Sequence, residues 1–454
     1  MANPGKLQLD ELAAQIVEHA LEAGADVAEA VARAGWELST RVRLGEPELV
    51  EEAGRRGVEL RVIKDQRVAM TTTSDLTSDG IARCVSDALM LADLAQPDEA
   101  AGPAAPEQLA AGPFADLELY DPAVAEVDAS AALARAKRAE AAALGLDPRL
   151  TLSEGATFSR MTLESATVLS GGFSGTLRGS HASLATSPVA QDEEGKRRRG
   201  FYWTAHRHLS ELEDAEEVGR EAGRRALAKL GPHRVDTCEA PVIFDPDAAR
   251  SILGTFASCI LGGSIWRRSS YLVDREGSQV ASPLVTVVDD PLLPRAPGSR
   301  PFDGEGLPAR RQTVVADGIL RTYLLDCYSA RKLGRQSTGN AVRSGGALSP
   351  STTNFILQPG DQTPDDLVRS TPRGLYVTDM MGFGFNAVTG DFSRGAAGFW
   401  IEDGQRAFPV SEITISSNLD AMLKGIDAVA NDLSLKTSTA APTLRIRAMT
   451  IGGS

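Results

Sequence analysis

Asp391, Arg394 and Glu402 stand in the stretch VTGDFSRGAAGFWIEDG (388–404), where four glycines and two alanines crowd between Phe392, Phe399 and Trp400. Glycines in such density could cradle a phosphate. That chemistry needs a loop between a strand and a helix N-terminus, usually with a lysine following. Here no lysine follows, and AAGFWIEDGQRAFPV reads on as two apolar-rich strands joined at EDGQ. Gly395 and Gly398 are therefore expected to permit close backbone approach within a packed sheet. Asp391 and Arg394 are expected to pair locally.

Metal and nucleophile chemistry can be sought the same way. The five histidines (His19, His181, His206, His208 and His233) all precede residue 234, and no HExxH occurs. Zinc hydrolases commonly draw on two or three imidazoles. The only close pair, His206 and His208, would share one side of a strand, either as a metal site or as a polar strand face. No GxSxG elbow exists. In CYSARKLGRQSTGNA (327–341) Cys327 has no histidine to activate it within the second half. Ser329 and Lys332 there form either a Ser–Lys pair or a basic turn on a short helix.

The elements that must position these residues follow from periodicity. LDELAAQIVEHALEAG (9–24) puts Leu12, Ile16, Val17 and Leu21 on one helical face, with Gly24 as a stop. Residues 26–73 read as a meander of short antiparallel strands, ADVAEAVARA, WELSTRVRLG, LVEEAGRRG, VELRVIKD and RVAMTTT. A helix over 78–95 starts at Ser78 or Thr77 and places Cys84 in the core. Residues 97–114, rich in Ala, Gly and Pro, form an irregular connection. Helices are expected over 127–145 and 211–230. The segment 150–208 is strand-like, turning at Gly171-Gly172. From Pro241 the texture is β-rich, with helices only over 245–262 and 418–432 and hairpin turns at ADGI (316–319) and EDGQ (402–405). The fold class is α+β. Two domains are expected: residues 1–233, an antiparallel sheet with helices, and the β-rich residues 234–454.

Composition bounds the function. With 454 residues the chain exceeds one ordinary core. The formal net charge of −14 disfavours nucleic acid. A local exception, KRRRGFYWTAHRH (196–208), is basic and aromatic as a nucleic-acid surface would be. It follows Asp192, Glu193 and Glu194, and it reads as a solvated hairpin. No apolar run reaches the roughly 18 residues of a membrane helix, and the N-terminus lacks signal-peptide character. Cys84, Cys238, Cys259 and Cys327 show no CxxC spacing, as expected for reduced thiols in the cytoplasm.

YSARKLGRQSTGNA (328–341), GLYVTDMMGFGFNAVTGDFSRGAAGFWIEDG (374–404) and FPVSEITISSNLDAMLKGIDAVANDL (408–433) closely resemble the TldD/TldE metalloprotease family, and the TldE branch, also called PmbA, in particular. RPFDGEGLPARRQTVVADGIL (300–320) and GADVAEA (24–30) fit as well. The resemblance implies a two-domain subunit that dimerises. In TldD-type subunits it implies a HExxxH helix carrying two ligands and a catalytic glutamate, with a cysteine near the C-terminus as third ligand. The corresponding helix here is SILGTFASCILGG (251–263), where Gly254, Thr255 and Cys259 take the His, Glu and His places. The tail 431–453 lacks the cysteine. Cys259, beside Ile260 and Leu261, reads as a core residue. Among the shared motifs, Asn340, Asp391, Ser393 and Arg394 are assigned either to a subunit contact or to the structural core.

The expectation is thus a catalytically silent TldE/PmbA-like subunit that binds no cofactor, with zinc and the general base in a TldD-like partner. Unfolded peptides or leader peptides are the implied substrates, held by strand addition at the first-domain meander. A homodimeric peptide-binding or scaffold protein is the second reading. An autonomous hydrolase using Cys259, Cys327 or Ser329 is the third.

Overall fold

The computed structural model describes residues 8–453. Leu9–Glu22 (α1) buries Leu12, Ala13, Ile16, Val17 and Ala20 along one stripe. Three strands follow, Val27–Arg43 (β1), Glu46–Lys64 (β2) and Arg67–Thr73 (β3). Their connections are the two-residue turns Leu44-Gly45 and Asp65-Gln66, with positive φ at both central positions, the backbone that matches strand twist. The five short segments expected over 26–73 are therefore three strands, two of them long. The charged run Glu51–Arg56 is a solvated strand rather than a turn, because its partners Ala34 to Ser39 keep the ladder continuous on β1.

Ser78–Leu94 (α2) begins at Thr77, whose hydroxyl accepts the Gly80 N–H at 3.2 Å, and it buries Cys84, Val85, Ala88 and Ala92. The connection beyond it holds one short 3-10 turn (Pro106–Gln108), then Pro122–Ala125 (α3) and Ala129–Leu144 (α4), the latter capped by Asp128. Leu150–Leu169 (β4) turns through 170–172 into Phe173–Gln191 (β5). Arg197–Arg199 (β6) and Tyr202–His206 (β7) both return along β5, so the basic stretch is one arm of a hairpin. Ala215–Ala228 (α5) completes this half. The antiparallel order is β3-β2-β1-β4-β5-β6, with β7 also on β5. Helices α1, α2, α4 and α5 cover the face that carries Ala28, Ala30, Ala32 and Leu38.

The second half opens with Cys238–Phe244 (β8), Pro246–Ile260 (α6) and Gly262–Trp266 (α7). A small sheet follows from Val287–Asp289 (β9), Gln312–Ala316 (β10) and Ile319–Leu320 (β11), with Cys327–Lys332 (α8) behind it. Ala341–Ser344 (β12) and Ala347–Pro350 (β13) make a hairpin; Phe355–Leu357 (β14) and Pro364–Arg369 (α9) come next. The remaining strands are Arg373–Met381 (β15), Asp391–Glu402 (β16), Gln405–Asn418 (β17), Ile426–Val429 (β18), Thr439–Ala440 (β19) and Leu444–Gly452 (β20). Leu419–Lys424 (α10) is much shorter than the helix expected over 418–432. Gly425 ends it, and Ile426 to Val429 pair with β20 instead.

The larger sheet runs β17-β16-β15-β8-β20-β18, and β20 also pairs with β17, so five strands close on themselves. Only β8 and β15 run parallel within it. Helix α6 packs against β8, β15 and β19, and Ile252, Phe256 and Ile260 join the core with Phe244, Phe392 and Trp400. The whole is an α+β fold.

The two halves are joined through buried charge. Glu29, on the helix-free face of β1, meets Arg61 at 2.9 Å and Arg343 of β12 at 2.7 Å. Burial would push the Glu29 carboxyl up, but the two guanidinium groups hold it below its ordinary value.

Candidate functional site

Helix α6 is the element on which the sequence resemblance would place a metal centre, and its start is built by Asp245. The Asp245 carboxylate accepts the Ala248 N–H at 2.8 Å and Pro246 fills the first turn, where no donor is needed. Ser251, Gly254, Thr255 and Ser258 follow at spacings of three and four, one face of the helix. That face is open. A Cβ placed on Gly254 would meet nothing within 4 Å, and Ser258 is exposed.

Cys259 points the other way, fully buried, with its thiol donating to the Thr255 carbonyl at 3.4 Å. Burial pushes that thiol up to about 11. The positions matched to a ligand–base–ligand set thus diverge, with Gly254 and Thr255 facing open space and Cys259 facing the core.

One side chain of strand β16, Arg394, reaches this face. The strand's inward residues are Phe392, Arg394, Ala396, Gly398 and Trp400, and its outward residues include Asp391 and Ser393. Arg394 donates from Nη1 to Ser251 Oγ at 2.9 Å and from Nη2 to Thr255 Oγ1 at 3.2 Å. Its guanidinium lies 5.1 Å from the Phe392 ring centre, and burial lowers its pKa. The expected local pair between Asp391 and Arg394 does not form, because residues three apart on a strand face opposite sides. Asp391 instead accepts from Thr389 Oγ1 at 2.6 Å and Asn418 Nδ2 at 3.3 Å. Ser393 donates its backbone N–H to Gly384 at 2.8 Å.

The glycines of β16 differ in need. A Cβ on Gly398 would stand 1.9 Å from the Tyr376 carbonyl oxygen, whereas one on Gly395 would stand 3.5 Å from the Met381 Cβ. Only Gly398 is demanded by close strand approach.

Asn340 belongs to a separate buried network. Its Nδ2 donates to Asp289 Oδ2 at 2.8 Å, and its Oδ1 accepts from Gln312 at 2.7 Å and Thr338 at 2.8 Å. Nearby, burial and then the Asp303 charge push the Glu305 carboxyl up to about 8.

The conceivable nucleophiles are engaged elsewhere. Cys327 is buried, and burial together with Glu305 drives its thiol upward. Ser329 donates to Asp326, while Lys332 donates to Asp98 at 2.9 Å, so no Ser–Lys pair exists. His206 Nδ1 accepts the His208 N–H at 3.0 Å, and His208 Nε2 lies 2.8 Å from the Glu118 carbonyl. Among the described residues no three His, Cys, Asp or Glu side chains converge as a metal would require.

The α6 face therefore offers hydroxyls and one guanidinium. Thr255 already donates its proton to the Ser251 carbonyl at 2.9 Å, and no base contacts it. Such a set can bind an anion and has no means to activate a nucleophile. Gly254, Thr255 and Arg394 were singled out from sequence, whereas Ser251 and Ser258 were not. Their signal was there as a polar stripe on an otherwise apolar helix.

Comparison with known proteins fits this architecture. Residues 28–92, 122–230 and 237–453 match family models described as PmbA/TldA metallopeptidase domain 1, central domain and C-terminal domain. The chain is 37% identical over 418 residues to the metalloprotease PmbA of Escherichia coli, covering 92% of this chain and 90% of that one. It is 30% identical to a metalloprotease TldD homologue of Haemophilus influenzae over 58% of this chain and 60% of that one. Among solved structures, a proposed modulator of DNA gyrase from Bacteroides thetaiotaomicron superposes with a TM-score of 0.92 at 26% identity, over 99% of this chain and all of that one. TldE of Thermococcus kodakarensis shares the fold with a TM-score of 0.86 at 20% identity, over 97% and 100% of the two chains.

Proposed function

The chain belongs to the PmbA/TldD metallopeptidase family, and from that premise we propose that it is the non-catalytic subunit of a two-chain metalloprotease acting on unfolded or leader peptides. A TldD-like partner supplies zinc and the general base. The observation that carries this reading is the donor set on α6. Zinc takes thiolate, imidazole or carboxylate ligands. Gly254 has no side chain, the Thr255 hydroxyl is engaged, and Cys259 is turned inward with a thiol at about 11. The residues present do not fit a zinc centre.

Peptide handling has a structural basis of its own. Among the described residues strand β3 pairs only with Val58–Lys64 of β2, leaving Glu46–Gly57 with an open edge. Strand addition there would hold backbone without reading sequence. The end of β15 and the loop after it expose Met381, Phe383 and Val388, an apolar surface suited to association. That surface would serve a partner chain or a second copy equally, which keeps the homodimeric scaffold as the second reading. The four free cysteines support a cytoplasmic setting.

The deciding experiment is metal analysis and cleavage of an unfolded peptide, first with this chain alone and then mixed with a TldD-type chain. Chelator-sensitive cleavage is expected only in the mixture and survives Cys259→Ala. Metal-dependent hydrolysis by the isolated chain overturns the proposal. Recovery of only itself from its own cells favours the scaffold.

A further inference from the structure

Among the described residues Arg394 is a half-buried charge without a counter-ion. Its two resolved bonds go to neutral hydroxyls, Ser251 Oγ and Thr255 Oγ1. A guanidinium carries five N–H donors, and Nε is shut away from solvent with no partner. Among the described residues no carboxylate oxygen lies within 4.0 Å of it, and burial alone governs its pKa. Arg61 and Arg343, by contrast, share Glu29, and Arg207 is met by the Ala296 and Pro297 carbonyls at 2.9 and 2.6 Å. Asp391, three residues away, is on the far face of the strand.

Space for the missing anion exists beside it. Gly254 lies between Ser251 and Ser258 on the same helical face, with nothing within 4 Å of where its Cβ would be. A single guanidinium flanked by hydroxyls matches a planar, singly charged, two-oxygen acceptor. A phosphate dianion would call for a second cation, and none is bonded to this face.

We propose that the Ser251–Thr255–Arg394 face of α6 receives a carboxylate of the bound peptide, either its C-terminal carboxylate or an Asp or Glu side chain. The proposal deepens the peptide-handling role above and rests on it. It gives the silent subunit a positioning task, fixing one charged point of the peptide on the helix that by resemblance takes the place of the metal-bearing helix of TldD-type subunits.

The test is calorimetric titration of the full chain, at low salt, with three unstructured decapeptides of Ser, Thr, Ala and Gln. One has a free C-terminal carboxylate, one is amidated, and one is amidated with a single central Glu. The expected result is about tenfold tighter binding of an acidic peptide than of the neutral amide. Whichever acidic peptide shows the gain identifies the source of the carboxylate. Arg394→Gln should erase the preference while leaving the affinity for the neutral amide. The guanidinium has no ion-pair partner and two hydroxyl bonds to lose, so the variant should stay folded and melt within a few degrees of the parent. Arg394→Lys keeps the charge without the planar fork, should recover part of the preference, and carries the test if the Gln variant melts early. Equal affinities for the three peptides, including no measurable binding of any, overturn the assignment, as does a preference that persists in Arg394→Gln. Either failure leaves the partner-dependent cleavage experiment untouched, so the two readings fall separately.

Discussion

Replacing Asp245 by Asn should stabilise this protein above neutral pH and do little in acid. Asp245 is 7% exposed, so its charge is largely cut off from solvent and the full electrostatic penalty applies. Burial pushes its carboxyl from an ordinary 3.8 to about 7; the Ala248 N–H opposes this, and Asp247 adds to it. Arg225, the nearest cation to influence it, is already paired with Glu221 at 2.8 Å. Below pH 3.8 folded and unfolded chains both carry the proton. Between 3.8 and about 7 the unfolded chain ionises while the folded one stays protonated, so stability falls by about 1.4 kcal/mol per pH unit. Above pH 7 the loss is complete, about 4 kcal/mol in all. Asn caps a helix as well as Asp does, yet cannot ionise. The adjoining cavity of about 360 Å³, lined by Tyr202, Arg225 and Lys436, has room for solvent. That solvent would lower the expected gain at pH 8 to about 2–4 kcal/mol. Urea unfolding of parent and variant at pH 4.5, 6 and 8 measures it. The difference should be about 1 kcal/mol at pH 4.5 and grow in favour of Asn. A pH-independent difference, or a variant less stable at pH 8, would mean that Arg225 already neutralises the ionised carboxylate, and the burial argument would fail.

Gly398→Ala should destabilise by about 3 kcal/mol, since its new Cβ would lie 1.9 Å from a backbone oxygen that cannot move without parting β15 from β16. Gly395→Ala, at 3.5 Å from Met381, should stay within about 0.5 kcal/mol in the same melts; equal effects would refute the packing account. Glu29→Gln leaves Arg61 and Arg343 buried without a negative charge and should cost about 3–5 kcal/mol. It should also open the β12–β13 hairpin to limited proteolysis, which an unchanged digestion pattern would contradict.

Much of the framework was legible because it is local. Thr77 as a cap, the apolar stripe of 9–22, and the turns at Asp317-Gly318 and Asp403-Gly404 each depend on residues a few positions apart. The errors came where local chemistry was ambiguous. Glycines and charges in WELSTRVRLG and LVEEAGRRG look like turn punctuation. They are tolerated inside strands because β1 and β2 pair without a break over that span and leave one face to water. Likewise Gly425 lies inside an apolar run that by pattern alone continues as helix, while pairing of Ile426–Val429 to β20 makes it a stop.

The site divided the same way. That no imidazole stands after residue 233, and that Gly254, Thr255 and Cys259 occupy the places of a metal motif, is written in the residues themselves and owes nothing to folding. The apolar neighbours Ile260 and Leu261 already place Cys259 in the core, as it is; tertiary structure alone decided that Gly254 faces open space, because that choice depends on which side of α6 meets β8 and β15. It alone brought Arg394 to Ser251 and Thr255, across separations of 143 and 139 residues. Strand register sets such a contact, and register is a property of paired strands that no single segment carries.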